Sequence, residues 1–183
     1  DHYQDREGSR ALLGEIANLI KGRPFPFLHA SGNHDYACLP PDEIAEILGI
    51  GIPPYTVETC GYRFIVLDGN YTSEMRCYSD TPFNWTDSNL PPEQLQYLEK
   101  ELESSELPCI VMVHEPLDPG TDDSHCINNA EQARNIIAKS GKVSLVLQGH
   151  FHCGADHVID GIRYFTMDAM CEGEENHYTV IEV

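Results

Sequence analysis

Basic residues are scarce. Eleven Lys and Arg against 30 Asp and Glu leave the 183-residue chain with a formal net charge of −19. So acidic a chain excludes non-specific binding to nucleic acid or anionic membrane, both of which need basic patches. No apolar run is long enough to span a bilayer, and no secretory leader is recognisable in the residues given. The seven cysteines contain no Cys-x-x-Cys pair. Their scatter and odd number exclude zinc-finger spacing and favour free thiols in a reducing compartment, so a cytoplasmic location is expected. The sequons at Asn70 and Asn84 would matter only in a secretory setting. Neither an internal repeat nor a low-complexity segment is visible, and the length suits one domain over residues 1–183.

Chemistry concentrates in three short pieces: Gly32-Asn33-His34-Asp35, Val113-His114-Glu115-Pro116 and Gln148-Gly149-His150-Phe151-His152. Each follows an apolar run that reads as a buried strand, at residues 25–30, 109–113 and 143–147. Strands ending in His, Asn and Asp gather imidazole, amide and carboxylate groups along one sheet edge, where ligands of open α/β sheets bind. Stiffly held nitrogen and oxygen donors of this kind suit divalent transition metals. The anionic chain would repel a phosphate unless bound metal reversed the local field.

The remaining pattern alternates helices and strands. Helices are expected at residues 9–21 (Leu12, Leu13, Ile16, Leu19, Ile20), 42–48 and 92–103. A further helix is capped by Asn128 with Glu131 at the capping-box position and ends at Gly141. Residues 55–58 and 62–67 read as a hairpin turning at Cys60-Gly61. Residues 155–159, 162–167 and 177–183 read as an antiparallel finish. Asp68 closes a strand as a turn former. Residues 69–90 form a long aromatic loop carrying Tyr71, Tyr78, Phe83 and Trp85, suited to stacking on a substrate ring or to pinning the loop down. Asp118, Asp122, Asp123 and His125 lie in a segment without the Gly and Glu placement of a calcium loop, which reads as solvated.

The set GNHD, VH and GHFH resembles the later motifs of the calcineurin-like metallophosphoesterases. The resemblance runs from about Gly8 to the end of the chain, and it is specific for the superfamily rather than for a substrate. It implies an α/β sandwich of two mixed β-sheets flanked by helices, here N-terminally truncated. The family's opening Asp-x-His and Gly-Asp-x-x-Asp do not occur upstream of Asn33. By resemblance, Asn33, His114 and His150 would hold one metal and His152 a second. His34 would contact phosphate or protonate the leaving oxygen, and Asp35 would orient His34. Asp1 is a candidate bridging ligand, with His2 and Asp5 as makeshift ones.

The implied activity is a metal-dependent phosphohydrolase, with a phosphodiesterase acting on a phosphodiester or nucleotide-like substrate favoured. It would act through metal-activated hydroxide, with Mn, Fe or Zn as the ion: two if the site is completed, otherwise one. The implied partners are a small phosphate-ester substrate and, because absent strands would expose a sheet edge, a second copy in a homo-oligomer. The alternative is a non-catalytic remnant serving as a metal-binding or assembly module.

Overall fold

The computed structural model describes residues 5–81, 84–174 and 177–182. In chain order these form α1 (Arg6–Ile20), α2 (Asn33–Tyr36), α3 (Pro41–Leu48), β1 (Tyr55–Thr59), β2 (Tyr62–Val66), a 3-10 turn (Tyr78–Asp80), α4 (Pro92–Ser104), β3 (Cys109–Met112), α5 (Ala130–Ser140), β4 (Val143–Gln148), β5 (Ala155–Ile159) and β6 (Ile162–Thr166). One mixed sheet runs β1-β2-β3-β4-β6-β5. Its four inner strands are parallel, and antiparallel β1 and β5 form the edges. Parallel strands covered by helices must be apolar on both faces, which is why Cys109-Ile-Val-Met and Val143 to Leu147 read as near-continuous apolar runs.

The main core joins this sheet to α4 and α5. Leu98 and Leu102 of α4 and Ala133 and Ile137 of α5 are packed with Ile65, Val111 and Val146, all almost fully buried. Each such large aliphatic side chain removed from water contributes about 1.5–3 kcal/mol. A smaller cluster, Leu13, Tyr36, Leu39, Ile44, Leu48 and Tyr78, joins α1, α2 and α3.

Several expectations are corrected. Where two sheets were expected, the described residues form a single one. Residues 25–30 join no strand among the described residues. Phe25 and Phe27 of that apolar run, expected to be buried, stand 60% and 39% exposed. The segment is held to β1 by a side chain instead: the Tyr55 hydroxyl donates to the His29 carbonyl and accepts from the His29 N–H, both at 2.9 Å. On α1 only Leu13 of the expected apolar stripe is buried, with Leu12, Ile16 and Leu19 largely exposed. The helix after the acidic loop begins at Ala130 without a side-chain cap. Asn129 instead clamps Leu90 through both its amide atoms, at 2.9 and 2.8 Å, and so ties the long loop to α5. Residues 177–182 form no strand.

Candidate functional site

The parallel register sets the spacing of the site. β3 and β4 end side by side, Met112 opposite Leu147. The pairing continues one step past each strand, Val113 N–H to Leu147 C=O at 3.1 Å and Gly149 N–H to His114 C=O at 2.9 Å. His114 and the Gly149-His150 turn therefore leave the same sheet edge as neighbours, their imidazole centroids 5.2 Å apart. His150 takes the left-handed conformation (φ 64°), an uncommon choice for a residue with a side chain and one worth attention at a turn.

The GNHD stretch arrives from the other side as the start of α2. Asn33 is buried, and its Oδ1 lies 3.1 Å from Nε2 of His114. Gly32 is required by contact rather than by dihedral: a Cβ there would come within 2.8 Å of the His114 ring. Asp35 accepts from the Gly32 N–H at 2.8 Å and lies 3.3 Å from His29 Nε2. Burial works to raise the Asp35 carboxyl, yet His29, the Gly32 N–H and His114 together hold it below its ordinary range. The carboxylate thus fastens its own turn and faces His29, a residue the sequence reading did not single out.

The stretch is docked on the sheet through a buried polar chain. Asn70 donates to the Ser31 carbonyl at 2.9 Å and to Asp68 Oδ1 at 2.7 Å, while Gln94 brackets the Asp68 backbone at 2.9 and 3.0 Å. Asp68 Oδ2 and both carboxyl oxygens of Glu115 are buried without a hydrogen-bond partner among the described residues. Burial pushes Asp68 up to about 6, partly offset by Asn70, and pushes Glu115 well above the usual carboxyl range, helped by Asp68.

All six residues singled out in the sequence, Asn33, His34, Asp35, His114, His150 and His152, line one cleft of about 560 Å³. Burial lowers the imidazoles here, with neighbouring histidines adding to the effect on His34 and His150. His114 falls to about 4 and His150 to about 3, and His34 is lowered through burial and then His152. The rings at His114 and His150 are therefore neutral near pH 7, the form that binds metal. His150 Nε2 is buried and meets no hydrogen-bond partner among the described residues. An orphaned imidazole nitrogen beside a second neutral imidazole and an amide oxygen is a donor set that fits a divalent ion.

Other residues pack against the site without lining the cleft. The Trp85 ring lies tilted 4.9 Å from His125 and edge-on 5.6 Å from His150. His125, read as part of a solvated loop, lies 5.2 Å from His150 and 5.4 Å from Phe151. Asp118 of that loop is fully buried and holds His157 Nδ1 at 2.5 Å, so this end of the loop is anchored rather than solvated. Residues 167–171 and 177–179 form the far wall. Only the position of Trp85 on a long aromatic loop was a usable signal in advance. Asp1, His2 and Phe83 lie outside the described residues, while Asp5 accepts from the Gly8 N–H at the start of α1.

Comparison with known proteins is consistent in direction. The calcineurin-like phosphoesterase model matches residues 1–154. The chain is 26% identical over 153 residues to a probable cyclic nucleotide phosphodiesterase of Synechococcus sp., across 80% of this chain and 53% of that protein. It is 27% identical to a manganese-dependent ADP-ribose/CDP-alcohol diphosphatase of Arabidopsis thaliana, across 98% of this chain and 70% of that one. The chain thus spans about half the length of the cyanobacterial relative. Its structure superposes on a dimetal phosphatase from Danio rerio with a TM-score of 0.75 at 16% identity, covering 89% of this chain and 67% of that one, a likeness of fold. Among the described residues no helix is long and apolar enough to cross a membrane.

Proposed function

Because the chain belongs to the calcineurin-like phosphoesterase family, we propose that it is a metal-dependent phosphohydrolase acting on a phosphodiester or nucleotide-like substrate. The observation that carries this reading is the neutral, unpartnered His150 Nε2 standing beside His114 and Asn33 in the cleft. Asn33, His114 and His150 would hold one divalent ion, and His152 would serve a second. Bound divalent ions would activate water and neutralise phosphate charge. Mn, Fe and Zn all suit nitrogen and oxygen donors of this kind, and the name of the plant relative favours Mn.

The chain's own residues do the rest. Gly32 leaves room for the His114 ring, and Asp35 fixes the turn that carries Asn33 and His34. His34, on the cleft wall and exposed, would contact a phosphate oxygen or hand a proton to the leaving oxygen. Trp85, edge-on to His150 and 37% exposed, would be the nearby aromatic surface for a base to stack on.

Hydrolysis of bis(p-nitrophenyl) phosphate with added Mn²⁺, measured alongside metal content per chain, tests the reading. Turnover that rises with bound metal is expected. One ion or none, with no turnover on diesters or nucleotides, would leave the non-catalytic metal-binding or assembly module as the better account.

Self-association belongs to the same proposal. β1 and β5 leave both edges of the sheet open among the described residues, and Val158 on β5 is 70% exposed. Open edges invite pairing with a second copy. Sedimentation velocity should show a mass that grows with concentration, and a strict monomer throughout would refute this part.

A further inference from the structure

The turn that follows β6 folds back on the GHFH piece. Ala169 N–H donates to the His152 carbonyl at 3.1 Å, and Glu172 N–H closes the turn on the Ala169 carbonyl at 3.3 Å. This brings Glu172 Oε1 to 2.8 Å from His152 Nδ1. Cys171 is a free thiol beside them. The ligand-capable atoms of His152, Cys171 and Glu172 all lie within 4.8 Å of one another. The two backbone hydrogen bonds hold the turn that carries Cys171 and Glu172 against His152. His152 and Cys171 also line the cleft.

The three side chains differ from the oxygen-and-imidazole set deeper in the cleft by including sulfur. Thiolate, imidazole and carboxylate together select zinc-like ions over Mn and Mg, and three protein ligands leave one position of a tetrahedral sphere for water. We propose that His152, Cys171 and Glu172 bind a thiophilic divalent ion of the zinc class at the rim of the cleft. Binding replaces the Cys171 thiol proton, which leaves to solvent, and the ion cross-links residues 169–172 to the GHFH turn. The site uses Nδ1 of His152, so the ion competes for the ring that the phosphohydrolase reading gives to the second catalytic metal. The assignment itself does not depend on that reading.

Co²⁺ is the probe, titrated into the reduced full chain. No cysteine stands among the six residues first assigned to the cleft, so a thiolate-to-cobalt charge-transfer band in the near ultraviolet reports the rim site alone. The band should saturate and be displaced by Zn²⁺. It should vanish in Cys171→Ser, whose exposed position leaves the fold intact. Glu172→Gln should weaken Co²⁺ binding by about tenfold or more, while Cys153→Ser should leave the band unchanged. Absence of the band in the native chain, its survival in Cys171→Ser, or its loss in Cys153→Ser would overturn the proposal. Failure of the chain to hydrolyse any phosphate ester would not alter these spectra, so the two readings fail separately.

Discussion

Replacing His150 by alanine is expected to lower phosphodiester hydrolysis by more than about 100-fold and to reduce the metal content per chain. Partners that merely orient a metal ligand already cost 10–100-fold when removed, so loss of the ligand itself should exceed that range. The argument rests on placement. His150 follows Gly149 on a turn locked to β3 by the Gly149–His114 backbone bond, and its Nε2 is buried with no hydrogen-bond partner among the described residues. A structural histidine in that position would satisfy the nitrogen. The fold should survive the change. Alanine adopts the positive φ less readily than histidine, but removing an unsatisfied buried nitrogen offsets part of that cost and of the packing loss. Without metal, the thermal midpoint should move by only about 2–4 °C, the shift that 1 kcal/mol produces in a domain of this size. With Mn²⁺ present, the native chain should gain stability that the variant does not. Full metal content and full turnover in the variant would remove His150 from the site and undo the Asn33–His114–His150 assignment with it.

The sheet and the histidines on its edge were legible because one physical pattern encodes both. Parallel strands buried on two faces give unbroken apolar runs, and Cys109 to Val113 and Val143 to Leu147 each end in a polar turn that the register then sets side by side. Residues 25–30 were misread for the same reason. Residues 25–30 are a similar apolar run, but such a run becomes a strand only beside another strand, and here a tyrosine hydroxyl takes that place. Asn128 and Glu131 match a capping box on paper. The neighbouring Asn129 found a stronger use in both backbone groups of Leu90, and the helix start shifted with it. His29, His125 and the rim residues Cys171 and Glu172 left no signal, because nothing local marks a side chain whose partner lies far away in sequence. His29 meets Asp35 only through the path of an irregular segment, and His125 meets His150 only once the acidic loop is anchored by Asp118 and His157. Periodicity reports elements, not the return path of the loops between them.

The buried acids beneath the cleft should give the protein an inverted response to pH. Asp68 has a folded-state pKa of about 6, against 3.8 for an ordinary aspartate. The native state therefore holds a proton that the unfolded chain releases between those values. With more protons bound folded than unfolded, stability must fall as pH rises through the window. The contribution is full below about pH 4 and gone above about pH 6–7, amounting to about 3 kcal/mol at 1.36 kcal/mol per unit. Glu115, fully buried and raised in the same direction, extends the decline upward. The two carboxyls influence each other and titrate as a pair. Groups such as Asp35, held below the ordinary value, pull the opposite way, so the difference between variants is the quantity to read. Asp68→Asn keeps an oxygen for the Asn70 N–H groups that Asp68 Oδ1 accepts while removing the titration. Denaturant unfolding from pH 4 to 7.5 should show the native chain losing about 3 kcal/mol relative to Asp68→Asn across the range, and a larger loss relative to the Asp68→Asn chain carrying Glu115→Gln as well. A difference that stays flat with pH would mean that both carboxyls are ionised in the folded protein. The unsatisfied oxygens beneath the cleft would then need a cationic partner, and a metal reaching Asp68 would become the better account of them.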